Sequence, residues 1–245
     1  MRGLFGKRRP PATIEPEALQ RVLGRFPALA VESPTALAET AGELLASKTF
    51  LGADGFEPGL DDCLAVALLA AQPILALGTH WYRGFQTLIL YRGEFLADLE
   101  EMDEFGLVHE GEELRAGEAW AHGPVVLAMD EVWASGQGEG YNVVAHELAH
   151  QIDQANGDMD GFPPLHRDMD RARWTEVFSQ AWERLNAQLD RDQEPDLDPY
   201  AAESPAEFFA VVTELYFDAP DWLAQVHPAL HQQLQRFYRP QTATD

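Results

Sequence analysis

Cysteine is almost absent: Cys63 is the only one in 245 residues. An internal disulfide is therefore excluded, and packing, helped at most by a metal, must hold the fold. Cys63 lies in the apolar run DDCLAVALLAA and reads as a small core residue rather than a nucleophile. Lysine is also scarce. Of 17 basic residues 15 are Arg, against 41 acidic ones, for a formal net charge of −24. Such a balance excludes nucleic acid as a direct ligand, because phosphate binding needs a basic face. The one basic cluster, Lys7, Arg8 and Arg9, is short and proline-bound, and reads as a solvated arm. No run of about eighteen apolar residues is available to cross a bilayer. The basic start MRGLFGKRRPP lacks the apolar stretch that follows in a secretory signal. Repeats and low-complexity tracts are missing as well. The expected address is the cytoplasm, with no membrane contact.

What is present is a chain that is 46% hydrophobic and long enough to bury a full core. We expect a flexible basic arm over 1–13, one domain over 14–240 and a short tail over 241–245. Within the domain, 14–78 reads as a helical N-terminal layer. Apolar residues recur at three-and-four spacing over 15–26, 34–51 and 60–71, and the last of these segments is apolar nearly all round. The period then changes. TLILY at 87–91, a segment from Leu107 to about Trp120, and PVVLAM at 124–129 read as short strands. Acidic residues crowd 98–118, which fits a solvated loop or an exposed strand face. Downstream, amphipathic helices are expected over 168–189, after Ser204-Pro205, and over 228–238. The fold class is α+β, mainly helical, with a small mixed sheet.

The chemistry is concentrated in 141–153, YNVVAHELAHQID. His146 and His150 stand at i and i+4 on a helix, so both imidazoles share a face and can reach one metal ion, with Glu147 one step round the same edge. Asn142 can cap the start of this helix, and Asn156-Gly157 can close its end in a left-handed turn. A catalytic zinc takes three protein ligands and keeps one position for water, so a third ligand is needed. The longer pattern with Gly and a third His is excluded, because Asp153 and Asn156 stand at those places. Glu207, in the first turn after Ser204-Pro205, is the first candidate, and Glu214 on the same face is the second. Ser204-x-x-Glu207 is equally the signature of a capping box, and spacing does not separate cap from ligand. Asp153 reads either as a partner that orients an imidazole or as a surface charge. His166, in a proline-rich loop, is an alternative ligand.

Beyond the motif, the chain resembles the Mlc titration factor A family of zinc metallopeptidases, a gluzincin-type group more distantly similar to the lethal-factor peptidase domain. The resemblance runs from about Phe50 to Tyr238 through THWYRGFQTLILY, GEAWAHGPVVLAMDEV, GYNVVAHELAHQID, GFPPLHRDM and DPYAAESPAEFFAVVTELYF. It implies a zincin-like fold with the sheet beside the His-Glu-x-x-His helix, and one zinc per chain held by His146, His150 and Glu207. It further implies Glu147 as general base and Tyr200 as a side chain that stabilises the transition state. The activity implied is hydrolysis of peptides, as an aminopeptidase or an endopeptidase. Zinc would act as a Lewis acid, Glu147 would accept the proton of the attacking water, and the Tyr200 hydroxyl would donate to the developing oxyanion. A strand near 117–120 or 124–129 could hold an extended peptide by edge pairing. The family is also associated with binding a glucose-responsive transcriptional repressor, so a zinc-stabilised binding protein that sequesters a regulatory partner is the rival reading. The acidic composition adds a weak expectation of basic residues in substrate or partner.

Overall fold

The computed structural model describes residues 11–29, 33–102, 108–120 and 123–240, with the backbone alone over 97–102 and 108–114. The basic cluster Lys7 to Arg9, the tail 241–245 and the side chains of most of the acidic stretch lie outside the described residues.

Helix α1 spans Pro16–Leu23 and α2 spans Pro34–Ser47. Pro34 opens α2, and the Ser33 hydroxyl accepts from the Ala36 amide at 3.3 Å. The chain then turns into strand β1, Thr49–Gly52, which the helical reading of 34–51 had absorbed. Helix α3, Leu60–Ile74, is buried on almost every side over Leu64–Ala71, as its apolar surface demands. Strand β2 occupies Thr87–Tyr91, in the place the pattern gave it. The single strand expected over 107–120 is two: β4, Val108–Arg115, which pairs antiparallel with β3, Phe95–Met102, and β5, Gly117–Ala119. Strand β6, Val125–Ala128, leads directly into helix α4, Met129–Ala134.

The main sheet has the order β1-β2-β6-β5, parallel throughout except for β5, which runs antiparallel to β6 and forms one edge. Helix α5, Val143–Asp153, carries the motif, and every residue in it is buried. Against it pack α3, β5 and β6, and α7, Pro205–Asp218. Helices α6, Arg171–Leu189, α8, Pro220–Val226, and α9, Pro228–Tyr238, complete the helical part. An aromatic cluster joins α6, α7 and α9: Trp174 stacks on Phe178 at 4.1 Å and lies 6.2 Å from Phe209 and 5.7 Å from Phe237. Each such fully buried ring contributes about 1.5–3 kcal/mol through burial, which fixes α7 relative to the rest of the core. The result is an α+β fold, mainly helical, with a small mixed sheet beside the motif helix.

Candidate metal centre

Three caps fix the start of α5. The Asn142 side chain accepts from the Ala145 amide at 3.0 Å, as expected. Ser135 Oγ accepts from the Val143 amide at 3.0 Å, and the Glu214 carboxylate accepts from the Asn142 amide at 2.8 Å. With the amides at this end satisfied, the register that sets the direction of His146 and His150 is locked. At the other end the helix relaxes into a 3₁₀ turn, Gln154–Asn156, closed by Gly157 at φ 114°.

The two imidazoles sit edge to face with ring centroids 5.0 Å apart. Between them comes Glu207 from α7: its Oε2 lies 3.0 Å from His146 Nε2 and 3.4 Å from His150 Nε2. Ligand atoms of the three residues all fall within 4.8 Å of one another, and among the described residues no other group of three such side chains could hold a metal ion. The donor set suits a borderline cation: two imidazole nitrogens, one carboxylate oxygen and a cleft on the remaining side. The ambiguity at Glu207 resolves because cap and cluster use different atoms. The Glu207 amide donates to Ser204 Oγ at 3.1 Å, while the carboxylate turns to the histidines instead of folding back on Ser204.

Glu214, the second candidate, stands behind His146 rather than beside Glu207. Its Oε1 is 2.7 Å from His146 Nδ1, an arrangement that fixes the ring and leaves Nε2 to face the cluster. Burial alone would push the His146 imidazole down, but hydrogen bonds to Glu207 and Glu214 outweigh it and hold the ring well above the ordinary histidine value. Burial likewise pushes the Glu207 carboxyl up, yet hydrogen bonding to His146 and His150 prevails and holds it well below the usual range.

Glu147 is buried, and burial raises its carboxyl above the ordinary value against the pull of both histidines. It lies flat on β5: a Cβ added at Gly117 would come within 2.6 Å of Glu147 Oε1 and 2.7 Å of its Cγ. Only glycine leaves that space. Tyr200 sits in a 3₁₀ turn, Pro199–Ala202, started by Asp198, whose carboxylate accepts from the Tyr200 amide at 2.9 Å. Its ring is 5.9 Å from that of His146 and 42% exposed. Burial of the hydroxyl, then the nearby Glu207, Glu203 and Glu147, raise its pKa, so the phenol keeps its proton at neutral pH.

Asp153 is no surface charge. It is fully buried, and its Oδ2 accepts from the Gly161 amide at 2.7 Å. Gly161 in turn presses on the first turn of α7, where an added Cβ would lie 2.2 Å from the Pro205 carbonyl oxygen. The end of the motif helix is thereby braced against the start of the helix that carries Glu207. His166 lies elsewhere, its Nε2 donating to the Phe237 carbonyl at 2.8 Å and its ring packed on Phe237 and Trp81. The roles of Gly117 and Gly161 escaped the sequence reading, which named Glu214 only as an alternative ligand and not as the partner of His146 Nδ1. Their only signals were glycines inside or beside ordered segments, and an acid seven residues beyond Glu207.

A cavity of about 730 Å³ opens on this cluster, lined among others by His146, Glu147, Gly117, Tyr200 and Glu214. Among the described residues no helix is long and apolar enough to cross a membrane.

Comparison with known proteins places the chain among metallo-peptidases. Residues 6–239 match the family described as glucose-regulated metallo-peptidase M90. A protein named Mlc titration factor A from Serratia proteamaculans is 37% identical over 203 residues, covering 81% of this chain and 77% of its own length. Proteins of the same name from Escherichia fergusonii and Klebsiella pneumoniae are each 35% identical, covering 86% and 87% of this chain and 80% and 83% of theirs. With a match across nearly the whole chain, and the two histidines and the carboxylate meeting inside it, the chain belongs to the glucose-regulated metallo-peptidase M90 family.

Proposed function

We propose that the protein is a zinc-dependent peptidase acting in the cytoplasm, with residues 14–240 working as one domain and one zinc per chain on His146, His150 and Glu207. The observation that carries this reading is the approach of one Glu207 oxygen to the Nε2 atoms of both motif histidines, 3.0 and 3.4 Å away. When bound, zinc supplies Lewis acidity, polarising a carbonyl and bringing the pKa of a bound water to about 7.

The chain's own groups do the rest. Glu147, with its carboxyl raised by burial and braced against Gly117, accepts the proton of the attacking water and passes it to the leaving amine. Tyr200, kept protonated, donates from its hydroxyl to the developing oxyanion, a contribution of about 3 kcal/mol in comparable sites. Strand β5, at the edge of the sheet next to Glu147, offers its free side to an extended peptide. Glu214 holds the His146 ring in place throughout.

The test is zinc analysis of purified protein followed by turnover on a peptide library. Glu147→Gln is expected to keep zinc and lose hydrolysis, and His146→Ala to lose both. Undiminished turnover in zinc-loaded Glu147→Gln refutes the mechanism.

The relatives' name favours a second reading. Those proteins are called titration factors of Mlc, and this chain would correspondingly bind a transcriptional repressor of that kind, with zinc as a structural element. The two readings are compatible, and they separate on whether repressor capture survives chelation of the metal while hydrolysis does not.

A further inference from the structure

The cavity continues past the cluster along α7, and its character changes there. Val211, Leu215 and Ala219 follow Glu207 at intervals of four, so the helix face that delivers the carboxylate runs on as an apolar strip. Trp222, 37% exposed, closes its far end, and Val143 from the first turn of α5 forms the opposing wall. Leu215 is only partly buried although Glu214 and Tyr216 on either side of it are buried, and Ala219, which follows the last residue of α7, is partly buried as well. Both residues line the cavity.

Three of the acids lining the same cavity are already engaged by the chain. Glu214 is held by His146 and the Asn142 amide. Asp198 caps the Tyr200 amide. Asp196 accepts from the Arg184 guanidinium, with His227 Nε2 3.6 Å away. Glu147 belongs to the cluster and Glu139 stands exposed on the loop at the rim, while the strip itself is neutral. The expectation of basic substrates, which came from composition, therefore does not extend to this part of the cleft.

The third wall is a loop. Gly138 and Gly140 adopt φ 87° and 93°, and both amides donate to Asp218 Oδ2, at 3.1 and 2.6 Å. Any side chain at 140 would run into Leu215, since an added Cβ there would lie 2.8 Å from Leu215 Cδ2. Small residues at 138, 140 and 219 leave room above the strip, and the Asp218 clamp keeps that room open.

We infer that Val143, Val211, Leu215, Ala219 and Trp222 form a seat for a bulky aliphatic or aromatic side chain next to the scissile bond, so that the substrates are peptides with such a residue at one position flanking the cut. This inference rests on the peptidase reading for its chemistry, but not for the binding it describes. A pocket of this kind discriminates by about 10- to 200-fold per methylene group buried.

The experiment profiles hydrolysis of a positional peptide library by the zinc-loaded wild type, alongside binding of the same peptides to Glu147→Gln by fluorescence anisotropy. One position is expected to favour Leu, Phe or Trp over Ala by at least about tenfold. Ala219→Trp, which fills the seat, should cut the Phe-to-Ala ratio in kcat/KM at that position by a similar factor. Leu215→Ala, which deepens the seat, should move the preference towards the larger ring and serves as the check if Ala219→Trp does not fold. A flat profile in both hydrolysis and binding, or a preference for Lys or Arg there, overturns the seat. Apolar preference in binding with no hydrolysis by wild type overturns the peptidase reading and leaves the seat standing.

Discussion

Gly117→Ala isolates the general base from the metal. The glycine has an ordinary strand backbone, so alanine brings no conformational strain, only a methyl group placed 2.6 Å from Glu147 Oε1, 2.7 Å from Cγ and 2.9 Å from Cδ. Normal contact begins near about 3.4 Å, so the carboxylate must withdraw by about 0.8 Å, roughly the 1 Å misplacement that costs about 10²-fold in rate. Strand β5 cannot easily yield instead, because its register on β6 sets Gly117 against Leu127. The displaced atoms belong to one side chain and none to the backbone, so the cost in stability should stay near about 1 kcal/mol. The three atoms nearest the added methyl all belong to Glu147 and none to His146, His150 or Glu207, so metal affinity should be untouched. We expect kcat to fall about 100-fold, or about 2.7 kcal/mol, with KM, zinc content and melting temperature near wild type. The assay is steady-state cleavage of a fluorogenic peptide, with zinc affinity measured by chelator competition on the same preparations. A kcat within threefold of wild type, or a loss that tracks loss of zinc, shows that Glu147 does not act as the base from this position.

Gly161→Ala should act on the other half of the site: its Cβ would meet the Pro205 carbonyl at 2.2 Å, at φ 76° where alanine is strained, and push the first turn of α7 away from the histidines. Zinc affinity should drop by about 10- to 100-fold in chelator competition, and an unchanged affinity breaks the proposed link from Asp153 through Gly161 to Glu207. Glu214→Ala removes the partner of His146 Nδ1 and should lower zinc affinity by about 10- to 100-fold, with Glu214→Gln, which keeps an acceptor, recovering part of it; equal losses in the two variants would point to charge instead of orientation. Burial raises the Asp153 carboxyl from 3.8 to about 6 despite the Gly161 amide. Between those values the folded state keeps a proton that the unfolded chain has lost, so this group makes stability fall as pH rises through the window and then level off above about 6. Urea unfolding in EDTA should therefore show wild type losing about 1 kcal/mol relative to Asp153→Asn between pH 5 and 7.5, and parallel curves would remove the effect.

How much of this was legible beforehand depends on how far apart in sequence the partners lie. His146, Glu147 and His150 are related by helical geometry alone, and the structure brings them together as read. Glu207 balanced between two local signatures that turned out to share the residue: its amide serves the cap and its carboxylate serves the cluster. Strand β1 was lost inside a helix because LLASKTFL keeps apolar spacing straight across the boundary, and what makes Thr49–Gly52 a strand is pairing with β2, 38 residues on, by the Thr49↔Thr87 register. Gly117 and Gly161 were invisible for the same reason. A glycine shows that something comes close, but the thing that comes close, Glu147 in one case and Pro205 in the other, is known only once the chain is folded.

The division of the site between rigid and adjustable parts follows from where each piece sits. His146, His150 and Glu147 project from a helix buried along its whole length, and Glu207 projects from a helix pinned by the Trp174, Phe178 and Phe209 cluster. Moving the backbone that carries these groups means moving the core, so the cluster is held ready and metal binding need order little. The opposite wall is a loop of glycines, tied to α7 by the Asp218 carboxylate and to the Arg25 carbonyl by the Gln137 side chain, with Glu139 at its exposed rim. Its positive φ angles are open to glycine at little cost. Chemistry is thus placed on helices of the core, and the shape of the side-chain seat depends on a loop whose Gly140 passes close over Leu215. Substitutions at 138–140 should accordingly alter which peptide is held before they alter whether a metal is bound.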